Sequence, residues 1–342
     1  EIYTVKQGAE PQKVNITITT DNDTRDLIRS IKRSGATEIS LSPDAKEVAF
    51  IMHGDVYVTS TQYATTKRIT DTPEQEREVC FSPDGRALVY ASERNGCWQI
   101  YQAKIKNEKE KQFAYATDIE EEQIVNTGIT SQYPQYSPDG KEVAFFEDRA
   151  TLRIVNLKNK QIRTVLDGKY NYSYSDGDIW FEWSPDSKWL LSSYIGTGGW
   201  NNTDIALVKA DGKVVHNLTN SGYSDSNGKW VLGGKAMLFA SDRAGYRSHG
   251  SWGAEDDAYL MFFDLDAYNR FNMSKEEIEV ADANKDEKEK KEDEKKEEKQ
   301  KKADEKEKKT GKIEVAKVEP LELDIDNCRD RIVRLTVNSS NM

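Results

Sequence analysis

Cysteine, proline and histidine are all scarce in this chain of 342 residues: three Cys, eight Pro and three His. Cys80, Cys97 and Cys328 lie far apart, with neither a metal-ligand spacing nor a disulfide framework between them. Of the three histidines, His216 falls in a fourth strand and His53 in a hairpin loop, and no Gly-rich stretch ends in the Gly-Lys-Ser/Thr of a phosphate loop. We therefore expect no cofactor and no metal. No apolar run approaches the ~18 residues of a membrane-spanning helix, and no secretory leader is visible in the sequence. A surplus of positive charge is missing too. The formal net charge is −11, which disfavours nucleic acid and anionic membrane as partners.

What the chain does have is a repeated phrase. Ser42-Pro43-Asp44-Ala45, Ser82-Pro83-Asp84-Gly85, Ser137-Pro138-Asp139-Gly140 and Ser184-Pro185-Asp186-Ser187 start 40, 55 and 47 residues apart. Each follows a stretch of alternating apolar residues and precedes a second apolar run. Proline presets the first corner of a tight turn, aspartate tolerates the second, and glycine supplies the positive φ that closes a hairpin. A strand-built repeat of about 40–50 residues predicts an all-β fold, a β-propeller of four-stranded antiparallel blades.

Blades are expected over 36–70, 76–127, 131–166, 178–219 and 223–336, in a single propeller region spanning the chain. The last is degenerate: Ser226-Asn227-Gly228-Lys229 stands where the turn motif should recur, 42 residues after Ser184. Residues 1–20 read as a partial blade, its third and fourth strands only. Five full blades and a part suggest a ring of six or seven, or a piece of one, from a longer protein. The outer strands end in a recurrent Arg/Asn-Ile/Leu-Thr, which suits an edge where polar residues discourage further pairing.

The fifth blade is interrupted by a charged insert at 275–318. Its low-complexity part, 282–312, holds 13 Lys against 12 acidic residues, a net +1, so the propeller carries about −12. Such a segment cannot bury a core and is expected to be a solvated helix or disordered. Ser274-Lys275-Glu276-Glu277 fits a capping box and predicts a helix from about residue 275.

Two loops do not repeat. One is Ile195-Gly196-Thr197-Gly198-Gly199-Trp200-Asn201-Asn202. The other runs from Ser241 to Gly253 and contains Tyr246, Arg247, His249 and Trp252. Loops at one end of a propeller are where ligands meet it. Tyr246, Arg247, His249, Trp252, Trp200 and Asn202 are therefore the candidate peptide- or partner-facing residues. His249-Gly250-Ser251-Trp252-Gly253 comes near the G-x-S-x-G nucleophile elbow, but its first glycine is a histidine. It also lacks the strand-to-helix setting that the elbow needs. His249 with Glu255, Asp256 and Asp257 is a loose set for a metal. No catalytic residue is assigned.

The Ser-Pro-Asp-Gly hairpins, Ser241-Asp242-Arg243 and the Arg-Ile/Leu-Thr outer strands resemble the propellers of TolB-type proteins, prolyl-oligopeptidase-like hydrolases and tricorn-like proteases. Three segments are most similar to bacterial tricorn-like serine peptidases: Leu323 to Thr336, Tyr246 to Gly253, and Gly199 to Ala206. That resemblance implies a propeller that admits, filters or channels peptides. It further implies downstream PDZ and peptidase domains in the same polypeptide that carry the catalytic serine, and a periplasmic rather than cytoplasmic setting. A second reading is a TolB-type protein-binding module with no enzymatic role, and a third is the propeller of a prolyl-oligopeptidase-like hydrolase whose G-x-S-x-G lies downstream. A blade lacking its neighbour would also expose a sheet face, so self-association is expected.

Overall fold

The computed structural model describes residues 2–14, 31–196, 199, 201–247, 253–284 and 319–339. The chain divides into two compact units, Glu1–Gly35 and Ala36–Met342. In the first, Tyr3–Thr4 pairs antiparallel with Gln12–Lys13. The fourth strand expected at Val14–Ile18 falls mostly outside the described residues.

The second unit holds five four-stranded antiparallel sheets, each meandering in chain order. Blade 1 is Ala36–Leu41, Glu47–Met52, Asp55–Ser60 and Thr66–Arg68. Blade 2 is Glu76–Phe81, Ala87–Ser92, Gln99–Ile105 and Ile119–Gln123. Blade 3 is Ser131–Tyr136, Glu142–Glu147, Thr151–Asn156 and Ile162–Leu166. Blade 4 is Phe181–Trp183, Trp189–Tyr194, Asp204–Lys209 and Val215–Asn217. Blade 5 is Asp225–Val231, Ala236–Ser241, Asp257–Phe262 and, beyond the insert, Ile332–Arg334. The outer strand of blade 5 pairs Ile332 with Met261 and Arg334 with Tyr259.

The Ser-Pro-Asp turn works the same way four times. Its serine hydroxyl donates to its own aspartate, at 2.8, 2.6, 2.7 and 2.6 Å in chain order. The same serine oxygen accepts the amide five residues on, at 2.9, 2.9, 3.0 and 2.9 Å. The fourth turn residue is left-handed in every copy, with φ of 56° at Ala45, 70° at Gly85, 69° at Gly140 and 61° at Ser187. In blade 5 the structure corrects the expected turn. Ser226 to Lys229 lie within the first strand, and the hairpin is closed by Leu232, Gly233 and Gly234, all at positive φ. The two glycines supply the geometry that Asn227 cannot supply from inside a strand.

In blades 2 and 3 the second strands read as nearly continuous apolar runs because those sheets are buried on both faces. In blade 3, Val143 and Phe145 pack toward blade 2, while Ala144 and Phe146 pack toward blade 4. Fully burying a side chain such as Phe146 contributes about 1.5–3 kcal/mol. One apolar cluster fills each junction between successive blades.

The two terminal faces of this stack differ. On blade 5, Phe262 is covered by the helix α1, Leu265–Phe271, whose Tyr268 and Phe271 rings lie 5.6 and 5.3 Å from it. Asp264 caps α1 by accepting the Ala267 amide at 2.6 Å. On blade 1, Ile39 is 77% and Leu41 58% exposed. They share a face with the stacked Phe50 and Tyr57 rings, 5.6 Å apart. The predicted capping box forms, with the Ser274 amide donating to Glu277 at 2.7 Å and the Glu277 amide to the Ser274 hydroxyl at 3.3 Å. Residues 275–284 are helical, and 285–318 lie outside the described residues.

Candidate docking face

The blade 4 and blade 5 loops singled out in the sequence open at the same end of their sheets, and one side chain joins them. The guanidinium of Arg247 pairs through Nε with Asp242 at 3.1 Å and donates to the Gly222 carbonyl at 2.6 Å. It also donates to Oδ1 of Asn202 and lies 5.4 Å above the Tyr223 ring. Asp242 is buried and accepts the Ser224 amide at 2.9 Å. A second link runs from the Ser224 hydroxyl to the Asn201 carbonyl at 2.9 Å. The blade 5 loop is pinched at its base, where the Glu255 amide meets the Tyr246 carbonyl at 2.8 Å. A Cβ at Gly245 would sit 2.1 Å from the Glu255 carbonyl oxygen, so only glycine permits that crossing.

Of the six candidates, the structure thus brings Arg247 and Asn202 together and leaves Tyr246 67% exposed at the loop's edge. Trp200, His249 and Trp252 lie outside the described residues, as does Ser251. Asp257 is committed to the blade itself, accepting from Arg334 at 2.8 Å, Thr336 at 2.5 Å and Ser339 at 2.8 Å. Burial raises its pKa, yet these donors outweigh burial and hold the carboxyl below its ordinary range. Burial, with Asp242 and Asp257 nearby, pushes the Asp256 carboxyl up. Among the described residues no group of three or more His, Cys, Asp or Glu could hold a metal ion.

Asp257 belongs to a pattern that the sequence showed only as an outer-strand ending. In blades 1, 4 and 5 a buried aspartate opens the third strand: Asp55, Asp204 and Asp257. The outer strand answers with Arg68 at 2.7 Å, Asn217 at 2.7 Å and Arg334 at 2.8 Å. The threonine two residues later, Thr70, Thr219 or Thr336, donates to the same carboxylate at 3.4, 2.9 or 2.5 Å. Arg-Ile/Leu-Thr is therefore an internal clasp as well as a polar edge. A second clasp uses Arg94 and Arg243, which pair with buried Glu76 at 3.2 Å and Asp225 at 2.7 Å. These guanidinium groups cover the Tyr101 and Tyr259 rings at 4.5 and 5.1 Å. Ser241-Asp242-Arg243 thus divides its labour, with Asp242 holding the docking loop and Arg243 the blade.

First strands carry a left-handed bulge residue, Glu78 in blade 2, Tyr133 in blade 3 and Asn227 in blade 5. The Glu38 carboxylate accepts the Glu78 amide, and Glu78 in turn accepts the Tyr133 amide at 2.5 Å. Burial, reinforced by Glu38 and Asp176 and opposed by the Tyr133 amide and Arg77, pushes the Glu78 carboxyl up to about 7. Burial, with the Glu78, Asp176 and Glu38 carboxylates, pushes the Tyr133 phenol up to about 12.

Beside the docking loops, a cavity of ≈ 370 Å³ opens between blades 4 and 5. Its lining includes Asn171, Tyr172, Tyr174, Trp180, Ser193 and Thr203.

Residues 9–175 match the family described as the TolB beta propeller domain. The chain is 28% identical over 123 residues to a tricorn protease homolog of Saccharolobus solfataricus, covering 36% of this chain and 11% of that protein. It is 28% identical over 196 residues to the Tol-Pal system protein TolB of Francisella tularensis, covering 52% of this chain and 39% of that protein. The chain therefore spans well under half the length of these curated relatives. The solved tricorn protease superposes with a TM-score of 0.54 at 11% identity, over 91% of this chain and 27% of that one, which shows the shared propeller fold. The resemblance to TolB-type and tricorn propellers read from the hairpin motif stands on these matches.

Proposed function

We propose that this chain is the non-catalytic β-propeller part of a tricorn-like serine protease. In this reading it gates or filters peptide substrates on their way to a peptidase domain elsewhere in the polypeptide. The observation that carries it is the Arg247 clamp. Arg247 ties two loops that break the repeat into one surface, with Asn202, Tyr223 and Tyr246 around it and a cavity beside it. The net charge of −11 suits neutral or basic peptides. Likeness to the tricorn protease homolog supports the protease setting.

The test is a peptide panel titrated against residues 1–342, with hydrolysis followed in parallel. Neutral and basic peptides bind without being cut, and Arg247→Ala weakens binding about tenfold by releasing a charge-assisted hydrogen-bond set. Cleavage by this chain alone overturns the non-catalytic assignment.

The longer match to TolB favours a second reading, a protein-docking module with no enzyme attached. A folded protein partner that binds this face where short peptides do not would select it.

A further inference from the structure

We infer that the cavity between blades 4 and 5 is a subsite for a neutral peptide segment. It takes a backbone carbonyl on Asn171 and an apolar or aromatic side chain against Trp180, Tyr172 and Tyr174. This rests on the peptide-docking reading above and specifies where on that face a peptide is held. Asn171 is only 7% exposed, yet its side-chain Nδ2 has no hydrogen-bond partner. Its Oδ1 already accepts the Ser193 hydroxyl at 3.1 Å, while the amino group is left without an acceptor. A buried amide donor without an acceptor is destabilising and rare in folded proteins. Asn171 is one of the residues that line a cavity of ≈ 370 Å³, at the small end of the range for ligand sites.

The walls are aromatic, and their placement is built in. A Cβ at position 228 would come 2.8 Å from the Trp180 ring, so Gly228 is what allows the indole to lie across the first strand of blade 5. Ile195, also in the lining, is held by the hydrogen bond from its amide to the Tyr170 carbonyl at 2.9 Å.

The charge in the lining excludes anions. Asp178 is the one carboxylic side chain in the lining, and neither Lys nor Arg lines the cavity. Asp178 already holds the Tyr174 and Ser175 amides at 2.5 and 2.8 Å. A ligand that offers an acceptor without negative charge, attached to a flat apolar group, answers all three features. An internal peptide residue with a large side chain has that form.

The experiment titrates the whole chain with acetyl-Ala-Phe-Ala-amide, acetyl-Ala-Asp-Ala-amide and maltohexaose by calorimetry. We expect the Phe peptide to bind at least tenfold more tightly than the Asp peptide. Asn171→Leu should weaken the Phe peptide about five- to tenfold, the worth of one neutral hydrogen bond. Tyr174→Ser, at an exposed position that folding does not need, should weaken it as well. Binding within twofold of the parent in both variants, but lost in Arg247→Ala, overturns the subsite and leaves peptide docking standing. Absence of any peptide binding overturns both. Binding of maltohexaose in place of the peptides also overturns the subsite.

Discussion

Replacing Thr219 by valine keeps the shape of a buried side chain and removes one hydroxyl. That hydroxyl donates to Asp204 Oδ1 at 2.9 Å and accepts the Ile205 amide at 3.0 Å. Thr219 and Asp204 are both buried. Asp204 keeps its bonds from the Ser221 amide at 2.9 Å and Asn217 at 2.7 Å, so the carboxylate loses one of three donors. The Ile205 amide loses its side-chain acceptor inside the sheet. A hydrogen bond to a charged group contributes about 1.5–3 kcal/mol, and a stranded buried donor costs about 1–3 kcal/mol. The two overlap, so Thr219→Val should cost about 2–4 kcal/mol, a fall of roughly 4–12 °C in Tm. Thr219→Ser keeps the hydroxyl and loses one methyl, about 1 kcal/mol. Urea unfolding followed by circular dichroism reads both, with the m-value unchanged. If valine lies within 0.5 kcal/mol of the parent, or serine costs as much as valine, the clasp contributes nothing and the Arg/Asn-Ile/Leu-Thr ending is only an edge.

Three further outcomes follow from other parts of the fold. A carboxyl pushed up to about 7, as in Glu78, stabilises the folded chain below its unfolded pKa of about 4.5 and loses that contribution as pH rises to 7. Glu78→Gln should therefore flatten the loss of stability between about pH 4.5 and 7, and an unchanged slope would refute the assignment. The Asp257 carboxyl works in the opposite sense: its contribution is present above its unfolded pKa of about 4 and disappears as pH falls below it. On blade 1, the face bearing Ile39 and Leu41 should drive concentration-dependent association. Ile39→Lys with Leu41→Glu should leave a monomer by analytical ultracentrifugation, and association that persists would place the contact elsewhere.

Most of the sheet framework was legible because it repeats. Ser-Pro-Asp turns are local chemistry, in which the serine, the aspartate and the amide five residues on satisfy one another without help from distant chain. Strand order followed from the spacing of those turns, and the capping box at Ser274 is equally local. The blade 5 turn was misplaced because its glycines carry no Ser-Pro-Asp signature, while Asn227, which sits where the motif should recur, tolerates the left-handed bulge it occupies. At the docking face, both loops stood out by breaking the repeat. Their junction did not, since Arg247 and Asn202 are 45 residues apart in the chain.

The buried polar framework was hidden for the same reason. Outer-strand threonines looked like solvated edge residues until the third-strand aspartates were seen beneath them. Sequence alone determined the blade, because turn chemistry and alternating burial act over a few residues. Tertiary structure decided which loops meet, that Asn171 is enclosed without an acceptor, and that Glu78 titrates near neutrality beside Glu38 and Asp176. Each of those depends on desolvation or on contact between blades, and both appear only when distant strands are packed together.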